Sequence, residues 1–191
     1  MKIAVYSGSF DPLHIGHLAI MEYLTNEREF DWVYLIVSPQ NPLKGKEKAR
    51  NARQRYKTAV EAVARHPELR VRVDDIELAM PAPHYTIKTL DALREREPEN
   101  EFTLVIGADN LYDIRKWRDS ERILREYGVV VYPRAGYDLE SIRAQLLEEC
   151  RQSPDMRPYL IRIADAPIVD ISSTEIRKGE AMGRDMSEFR M

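Results

Sequence analysis

The sequence GSFDPLHIGH, residues 8–17, follows a short apolar run and contains two histidines, His14 and His17. A neutral imidazole donates one hydrogen bond, and its ring nitrogens can also ligate a metal or carry a proton. Residues three apart on a helix lie on one side of it, and the backbone N–H groups at a helix N-terminus attract anions. The spacing therefore predicts a cradle for phosphate groups.

Two simpler interpretations compete with a phosphate site. The histidines could be surface residues of a turn, or they could bind zinc, which would require further Cys or His ligands. The chain has a single cysteine, Cys150, and no Cys/His cluster that would complete a zinc site. Gly8 permits close approach of the backbone to a ligand, and Asp11-Pro12 predicts a turn with Pro12 in the first positions of a helix. This context favours a site.

A second group lies in the sequence ISSTEIRKG. Ser172 and Glu175 have the spacing of a capping box, which by itself predicts only a well-started helix. Arg177 would lie early in that helix, where the helix dipole disfavours a cation unless an anion is near. Ser173 and Thr174 add hydroxyl and N–H groups suited to a polyphosphate.

A third group, VIGADNLYDIRKW, follows another apolar run. Gly107 ends the predicted strand, and Asp109 could bind a ribose hydroxyl or a metal, or cap the following helix. Trp117 could stack on a flat ring or simply pack in the core. Each of these alternatives stays open from the residues alone.

Two weaker features are expected near the same site. The run at 41–55 is locally basic; most of its charges are expected to be solvated, but Lys44 follows a predicted strand and could reach a phosphate. Tyr85 and Thr86 precede a predicted helix, at an end that favours anions.

The elements that must position these residues alternate between strands and helices. Short β-rich runs are predicted as strands at 3–6, 32–37, 71–73, 102–106, 129–132 and 160–163. Helical patterns lie between them: Ala52, Tyr56, Ala59, Val60 and Val63 share one face, as do Leu139, Ile142 and Leu146. Residues 151–158 are predicted to be a loop. The alternation predicts the α/β class, a Rossmann-like doubly wound parallel sheet with a small C-terminal helical segment, which binds ligands at the carboxyl ends of its strands.

Composition narrows the possible functions. The 191 residues are 43% hydrophobic and 32% charged, with a net charge of −3, so we expect one globular domain spanning 1–191. The charge does not favour nucleic acid or an anionic membrane as a partner. No run approaches the ~20 apolar residues of a membrane span, and a single cysteine suits a reducing compartment. We expect a cytoplasmic protein; the sequence does not indicate an oligomeric state.

The motifs resemble those of a known family. GSFDPLHIGH and ISSTEIR resemble the nucleotidyltransferases that carry His-x-Gly-His and Ser-Ser-Thr-x-Ile-Arg. YTIKTL, GADNLYDIRKW and VVVYPRAGY narrow the resemblance to the nicotinate-nucleotide adenylyltransferases, over nearly the whole chain. The resemblance implies a single nucleotidyltransferase domain that transfers AMP from ATP to nicotinate mononucleotide and releases pyrophosphate, in NAD biosynthesis. It also implies Mg²⁺ bound through the ATP phosphates, with no metal site built by the protein.

The resemblance further implies roles for individual residues. Catalytic groups would be His14, His17, Lys44 and Arg177. ATP would be held by Gly8, Ser9, Phe10, His14, His17, Gly107, Asp109, Ser172, Ser173, Thr174 and Arg177. Nicotinate mononucleotide would be held by Lys44, Tyr85, Thr86, Asp109, Trp117 and Arg134. Because a phosphate oxygen is already nucleophilic and no Cys–His pair is evident, we expect direct in-line attack without a covalent enzyme intermediate.

The sequence departs from the family pattern at three places. Ser7-Gly8 stands for Gly-Gly, Leu43 replaces the usual histidine before Lys44, and Ala135 replaces the proline after Arg134. A pantetheine-phosphate adenylyltransferase is the nearest alternative, with the same chemistry. A class I aminoacyl-tRNA synthetase, a nucleotide sensor without turnover and an RNA-binding protein are weaker alternatives. The preference for nicotinate over nicotinamide rests on the resemblance alone.

Overall fold

The computed structural model describes residues 1–26, 29–39 and 52–191, and in them six parallel strands form one sheet. The strands are β1 (Lys2–Gly8), β2 (Trp32–Val37), β3 (Val71–Asp74), β4 (Glu101–Gly107), β5 (Val129–Tyr132) and β6 (Ile161–Ile163). Their order is β3-β2-β1-β4-β5-β6, that of the doubly wound dinucleotide-binding fold. The Rossmann-like sheet predicted from the sequence is confirmed, and its switch point lies between β1 and β4.

Helices connect the strands on both faces of the sheet. They are α1 (Ile15–Asn26), α2 (Ala52–Ala64), α3 (Ile76–Ala79), α4 (Thr86–Arg96), α5 (Ala108–Tyr112), α6 (Ser120–Arg122), α7 (Leu139–Gln152) and α8 (Ser173–Ala181). Shorter 3₁₀ turns span Ile114–Lys116 and Ser187–Phe189, and a π-helical turn, Ile123–Tyr127, continues α6. In the part of the chain that the structure describes, no helix is both long and apolar enough to cross a membrane.

The core has two layers because the inner strands of the sheet, such as β1 and β4, are covered on both faces. Alternate side chains of β1 enter different layers: Ile3 and Val5 pack with α4, α5 and α7, whereas Ala4 and Tyr6 pack with α1 and α2. This two-sided burial explains the continuous apolar runs of the sequence. Burial of β1 decreases at its last two residues, Ser7 and Gly8. The segment that carries His14 and His17 follows.

Three local expectations are wrong. Pro12 lies before α1, which begins at Ile15, so the turn occupies more chain than the sequence suggested. Val60 is 40% exposed, because α2 turns Arg55, Ala59 and Ala62 toward the protein instead. The expected loop starting at 151 begins later, since α7 continues to Gln152.

Candidate active site

A cavity of about 290 Å³ opens at the carboxyl end of the sheet. Its walls come from Tyr6 of β1, from His14 and the start of α1, from residues 132–135 at the end of β5, from the loop 167–172 and from Glu175 of α8. His14, His17, Arg134 and Ser172, all candidates from the sequence, line it. The strand-end rule for doubly wound sheets therefore locates this cavity correctly.

His14 and His17 form a stacked pair, with ring centroids 3.7 Å apart. Nδ1 of His14 accepts the N–H of Gly16 at 3.1 Å, and Nδ1 of His17 accepts the N–H of His14 at 3.2 Å. A ring nitrogen that accepts a hydrogen bond carries no proton, so each neutral ring has its proton on Nε2. The backbone thereby gives both rings an Nε2–H donor.

Burial keeps both rings neutral. Burial first, and the charge of Arg134 second, lower the pKa of His14 to about 4, against the opposing effect of Glu175. Burial also lowers the pKa of His17 well below its ordinary value, helped by His14 and Arg134. At neutral pH the free protein therefore presents two hydrogen-bond donors to the cavity, and the positive charge at its wall comes from Arg134.

Gly8 and Gly16 make room for the rings. A Cβ at Gly16 would lie 3.0 Å from the His14 ring, and one at Gly8 would lie 3.0 Å from the ring of Phe10. Phe10 is buried and packs edge-on against His17, with centroids 5.1 Å apart. Of the residues assigned to ATP from the resemblance, Phe10 thus packs against His17, and Gly8 leaves room for the Phe10 ring.

Helix α8 contacts the turn that carries the histidines. Ser172 caps the helix and accepts the N–H of Glu175 at 3.2 Å, as the capping-box spacing predicts. Ser173 Oγ donates to the carbonyl of Pro12 at 2.9 Å. The two motifs that the sequence analysis paired are therefore in direct contact.

Arg177 is the fifth of the nine residues of α8, so it lies at the middle of the helix and not early in it as the sequence predicted. Its anionic neighbour is found within the protein. Its guanidinium donates to the carbonyl of Asp11, lies 3.7 Å from the Asp11 carboxylate and donates to Thr174 Oγ1 at 3.2 Å. The Asp11 carboxylate thus supplies the anion near Arg177, and no bound ligand is needed to account for this cation. The phosphate roles of Ser173, Thr174 and Arg177 stay predictions.

Asp109 pairs with Arg134 across the ends of β4 and β5, with Nε and Oδ1 3.2 Å apart. Gly107 is the N-cap residue of α5, and the Asp109 side chain makes no capping bond, so the capping interpretation of Asp109 is wrong. A Cβ at Gly107 would lie 2.5 Å from Asp109 Oδ1 and 3.0 Å from Arg134 Nε. Glycine at the end of β4 is therefore needed for this ion pair, and the ion pair directs Asp109 toward the residue that lines the cavity.

The remaining candidates lie apart from the cavity lining. Tyr85 is the N-cap residue of α4 and Thr86 its first residue. Tyr85 and Trp117 are partly buried against the core layer that α4 and α5 share, so Trp117 does pack against the core. Lys44 lies outside the described residues.

The sequence analysis did not single out Arg55, which lies in the run 41–55 whose charges were mostly expected to be solvated. Arg55 is buried and donates to the carbonyl of Ser9, to that of Ser38 at 3.0 Å and to that of Pro39 at 3.2 Å. It thus joins the ends of β1 and β2. The available signal was its place four residues before Ala59 in a helix with a buried face.

Comparison with known proteins identifies the family of this chain. Residues 5–179 match the family model described as cytidylyltransferase-like. Two relatives bear the name "Probable nicotinate-nucleotide adenylyltransferase". The protein from Bacteroides fragilis is 39% identical over 188 residues, 98% of this chain and 86% of that protein. The protein from Flavobacterium johnsoniae is 36% identical over 186 residues, 97% of this chain and 90% of that protein.

A solved structure supports the fold independently. The Plasmodium falciparum nicotinic acid mononucleotide adenylyltransferase, complexed with NaAD, superposes with a TM-score of 0.76 at 19% identity, covering 98% of this chain and 87% of that one. At this identity the match concerns the fold alone, whereas the family rests on the sequence relatives and on the family model. The chain belongs to the nicotinate-nucleotide adenylyltransferases, enzymes of the cytidylyltransferase-like family of nucleotidyltransferases.

Proposed function

We propose that the enzyme uses ATP and nicotinate mononucleotide, and that it makes nicotinate adenine dinucleotide and pyrophosphate. The observation that carries the proposal is the pair of Nε2–H donors of His14 and His17 at a cavity that Arg134 also lines. Donors fixed by the backbone suit the phosphates of a nucleotide. The names of the relatives supply the acceptor.

The reaction we propose is a direct in-line displacement. A phosphate oxygen of the mononucleotide forms a bond to the α-phosphorus of ATP, and the bond from that phosphorus to the bridging oxygen breaks. Pyrophosphate leaves with the electron pair. No side chain needs to become a nucleophile, so the enzyme contributes alignment and stabilisation of the charge on the phosphate oxygens.

The chain's residues divide between these two tasks. His14 and His17 would donate to phosphate oxygens, and Arg177 with the N-terminus of α8 would add positive potential. Asp109 would hold the Arg134 guanidinium in place. Tyr85, Thr86, Trp117 and Lys44 are proposed to bind the acceptor, with Trp117 stacking on its pyridine ring.

Mg²⁺ is proposed to enter with ATP. Among the described residues, no three His, Cys, Asp or Glu side chains are grouped so as to hold a metal ion. Mg²⁺ commonly binds through substrate phosphates and few protein ligands, which fits this donor set. When bound, it would neutralise part of the phosphate charge.

The reducing compartment suggested by the single cysteine supports a further proposal, a cytoplasmic location.

A pyrophosphate-release assay tests the function. The enzyme is incubated with ATP, Mg²⁺ and one of nicotinate mononucleotide, nicotinamide mononucleotide or phosphopantetheine. We expect turnover with nicotinate mononucleotide. Activity with phosphopantetheine alone would replace the acceptor and leave the chemistry standing, whereas binding of ATP without pyrophosphate release from any acceptor would favour a sensor.

The His17→Ala variant tests the mechanism in the same assay. Removing one positioned donor costs roughly 10²–10³ in turnover. His66→Ala is the control, since His66 pairs with Glu68 after α2 and does not line the cavity. Near-normal turnover of a folded His17→Ala enzyme would refute the proposed mechanism.

A further inference from the structure

Residues 186–191, called the strap below, return to the segment that carries His14. Arg190 and His14 form an antiparallel β-bridge outside the main sheet. The N–H of Met191 donates to the carbonyl of Leu13 at 3.3 Å. The main chain just before α1 is therefore held by residues that are distant in sequence.

Buried side chains strengthen this contact. Met191 is 8% exposed and Leu13 is 3% exposed, and both belong to the core layer beneath α1 and α2. Arg65, just after α2, donates to the carbonyl of Met191 at 2.5 Å. The strap is thus anchored to the core on one side while it pairs with Leu13 and His14 on the other.

The strap is also tied to α8. The Arg190 guanidinium donates from Nε to Glu180 Oε1 at 2.8 Å. Met186 lies against Gly179, where a Cβ would come within 2.6 Å of its Sδ. At its other end α8 contacts the turn directly through Ser173 and Arg177. Helix α8 and the His14 segment are therefore joined at two places, one direct and one through the strap.

We infer that the strap is a positioning element for His14: it fixes the main chain at Leu13 and His14 and so the direction of the His14 Nε2–H donor. Met191 and Arg190 are the positioning residues. The inference rests on the proposed function for its kinetic consequence, because a donor misplaced by about 1 Å can cost roughly 10²-fold in rate.

Met191→Ala tests the inference, with Met182→Ala as the matched control. Met182 follows α8 and is 71% exposed. With ATP and nicotinate mononucleotide, Met191→Ala is expected to lower kcat on the order of 10–100-fold, through loss of alignment, while Met182→Ala stays near wild type. Met191→Leu, which keeps the volume, is expected to restore most of the rate.

A spectroscopic readout separates this inference from the proposed function. The chain has four histidines, His14, His17, His66 and His84, whose ring ¹⁵N signals report tautomer and environment. Met191→Ala is expected to shift the His14 and His17 signals, and to leave those of His66 and His84 unchanged. This result supports the strap even if the wild-type enzyme fails to release pyrophosphate, an outcome that would count against the proposed function alone.

If Met191→Ala does not fold, Arg190→Gln replaces it, with the exposed Arg184→Gln as its control. Removal of the bond to Glu180 is expected to shift the same two histidine signals and to lower kcat by a smaller factor. Signals of His14 and His17 that match wild type, together with rates that match the control, would overturn the inference.

Discussion

At the scale of single residues, the site depends on which atom of each imidazole carries the proton. The N–H groups of Gly16 and His14 occupy the Nδ1 atoms of His14 and His17, and burial keeps the rings uncharged. Two stacked cations would repel one another, but two stacked neutral rings with Nε2–H donors do not. The glycine of His-x-Gly-His supplies both an N–H and the space for a ring.

Gly16→Ala should separate activity from stability. A new Cβ would lie 3.0 Å from the His14 ring and force it to move. We expect kcat to fall on the order of 10–100-fold. The free energy of unfolding should stay the same or rise by up to ~1 kcal/mol, since alanine is the better helix former. Pyrophosphate release and urea unfolding measure the two effects, with the exposed Glu22→Ala in the same helix as control. Wild-type kinetics in the folded variant would contradict the steric argument.

The His14 pKa predicts how stability depends on pH. Because the folded-state pKa, about 4, lies below the ordinary value of 6.5, the unfolded chain binds more protons between these values. The contribution of neutral His14 to the free energy of unfolding is therefore fully present above pH ~6.5. It is lost as the pH falls toward 4, and the total loss is about 3 kcal/mol.

Urea unfolding of wild type and His14→Gln between pH 4.5 and 7.5 checks this dependence. Titrating groups other than His14 are common to both proteins, so the difference between the two curves reports His14 together with its effect on the pKa of His17. The wild-type curve should rise more steeply with pH. Parallel curves would show that burial does not depress this pKa.

At the scale of elements, the strand ends are held by contacts from helices. Arg55 of α2 donates to carbonyls that follow β1 and β2, and Ser173 of α8 donates to the carbonyl of Pro12. These carbonyls lie beyond the ends of the strands. Contacts from α2 and α8 thus help to fix the loop that leads from β1 to α1.

Arg55→Met should destabilise the fold, because the carbonyls of Ser9, Ser38 and Pro39, in part-buried hydrogen bonds, lose a charged donor. Hydrogen bonds to charged groups contribute roughly 1.5–3 kcal/mol each, and partial rehydration offsets some of the loss, so we expect about 3 kcal/mol in the free energy of unfolding. Chemical denaturation measures the change. Arg53→Met, an exposed arginine in the same helix, should stay within ~0.5 kcal/mol of wild type. Equal stability of the two variants would show that the Arg55 contacts contribute little.

At the scale of the whole molecule, the cavity exists only when distant segments meet. Its lining runs from Tyr6 to Glu175, and it includes β1, the end of β5, the loop 167–172 and α8. The parallel sheet brings these segments to one edge. An unfolded chain therefore has no nucleotide site, and binding must be linked to folding.

ATP should accordingly stabilise the folded protein. At 100 times its Kd, a ligand that binds only the native state adds ~2.7 kcal/mol to the free energy of unfolding. Thermal and urea unfolding with and without ATP measure the shift. Adenosine at the same concentration is the control, and it should give a smaller shift because the histidine donors face phosphate. Equal shifts with both ligands would argue against a phosphate role for the histidines.

Much of the fold was predictable from the sequence, because strands and helix starts carry local patterns of residue types. Continuous apolar runs indicated two-sided burial, so the parallel sheet and its strands followed, and the capping box at Ser172 is present as its spacing implied. Val60 and Arg55 were misjudged because periodicity does not reveal which face of a helix finds partners. The carbonyls after β1 and β2 decide that for α2, and they are visible only in three dimensions.

The sequence by itself determined the family, the class of fold and the edge of the sheet where the cavity lies, because these depend on motif residues and on strand and helix periods. Only the tertiary structure decided which candidate site residues line the cavity and which contact other parts of the protein. In the structure Phe10 packs against His17, and the Arg177 guanidinium donates to the Asp11 carbonyl. Asp109 forms an ion pair with Arg134, and the N–H of Met191 donates to the carbonyl of Leu13. Each of these contacts joins residues through packing or a hydrogen bond that depends on position in space, and no pattern along the chain encodes such a distance.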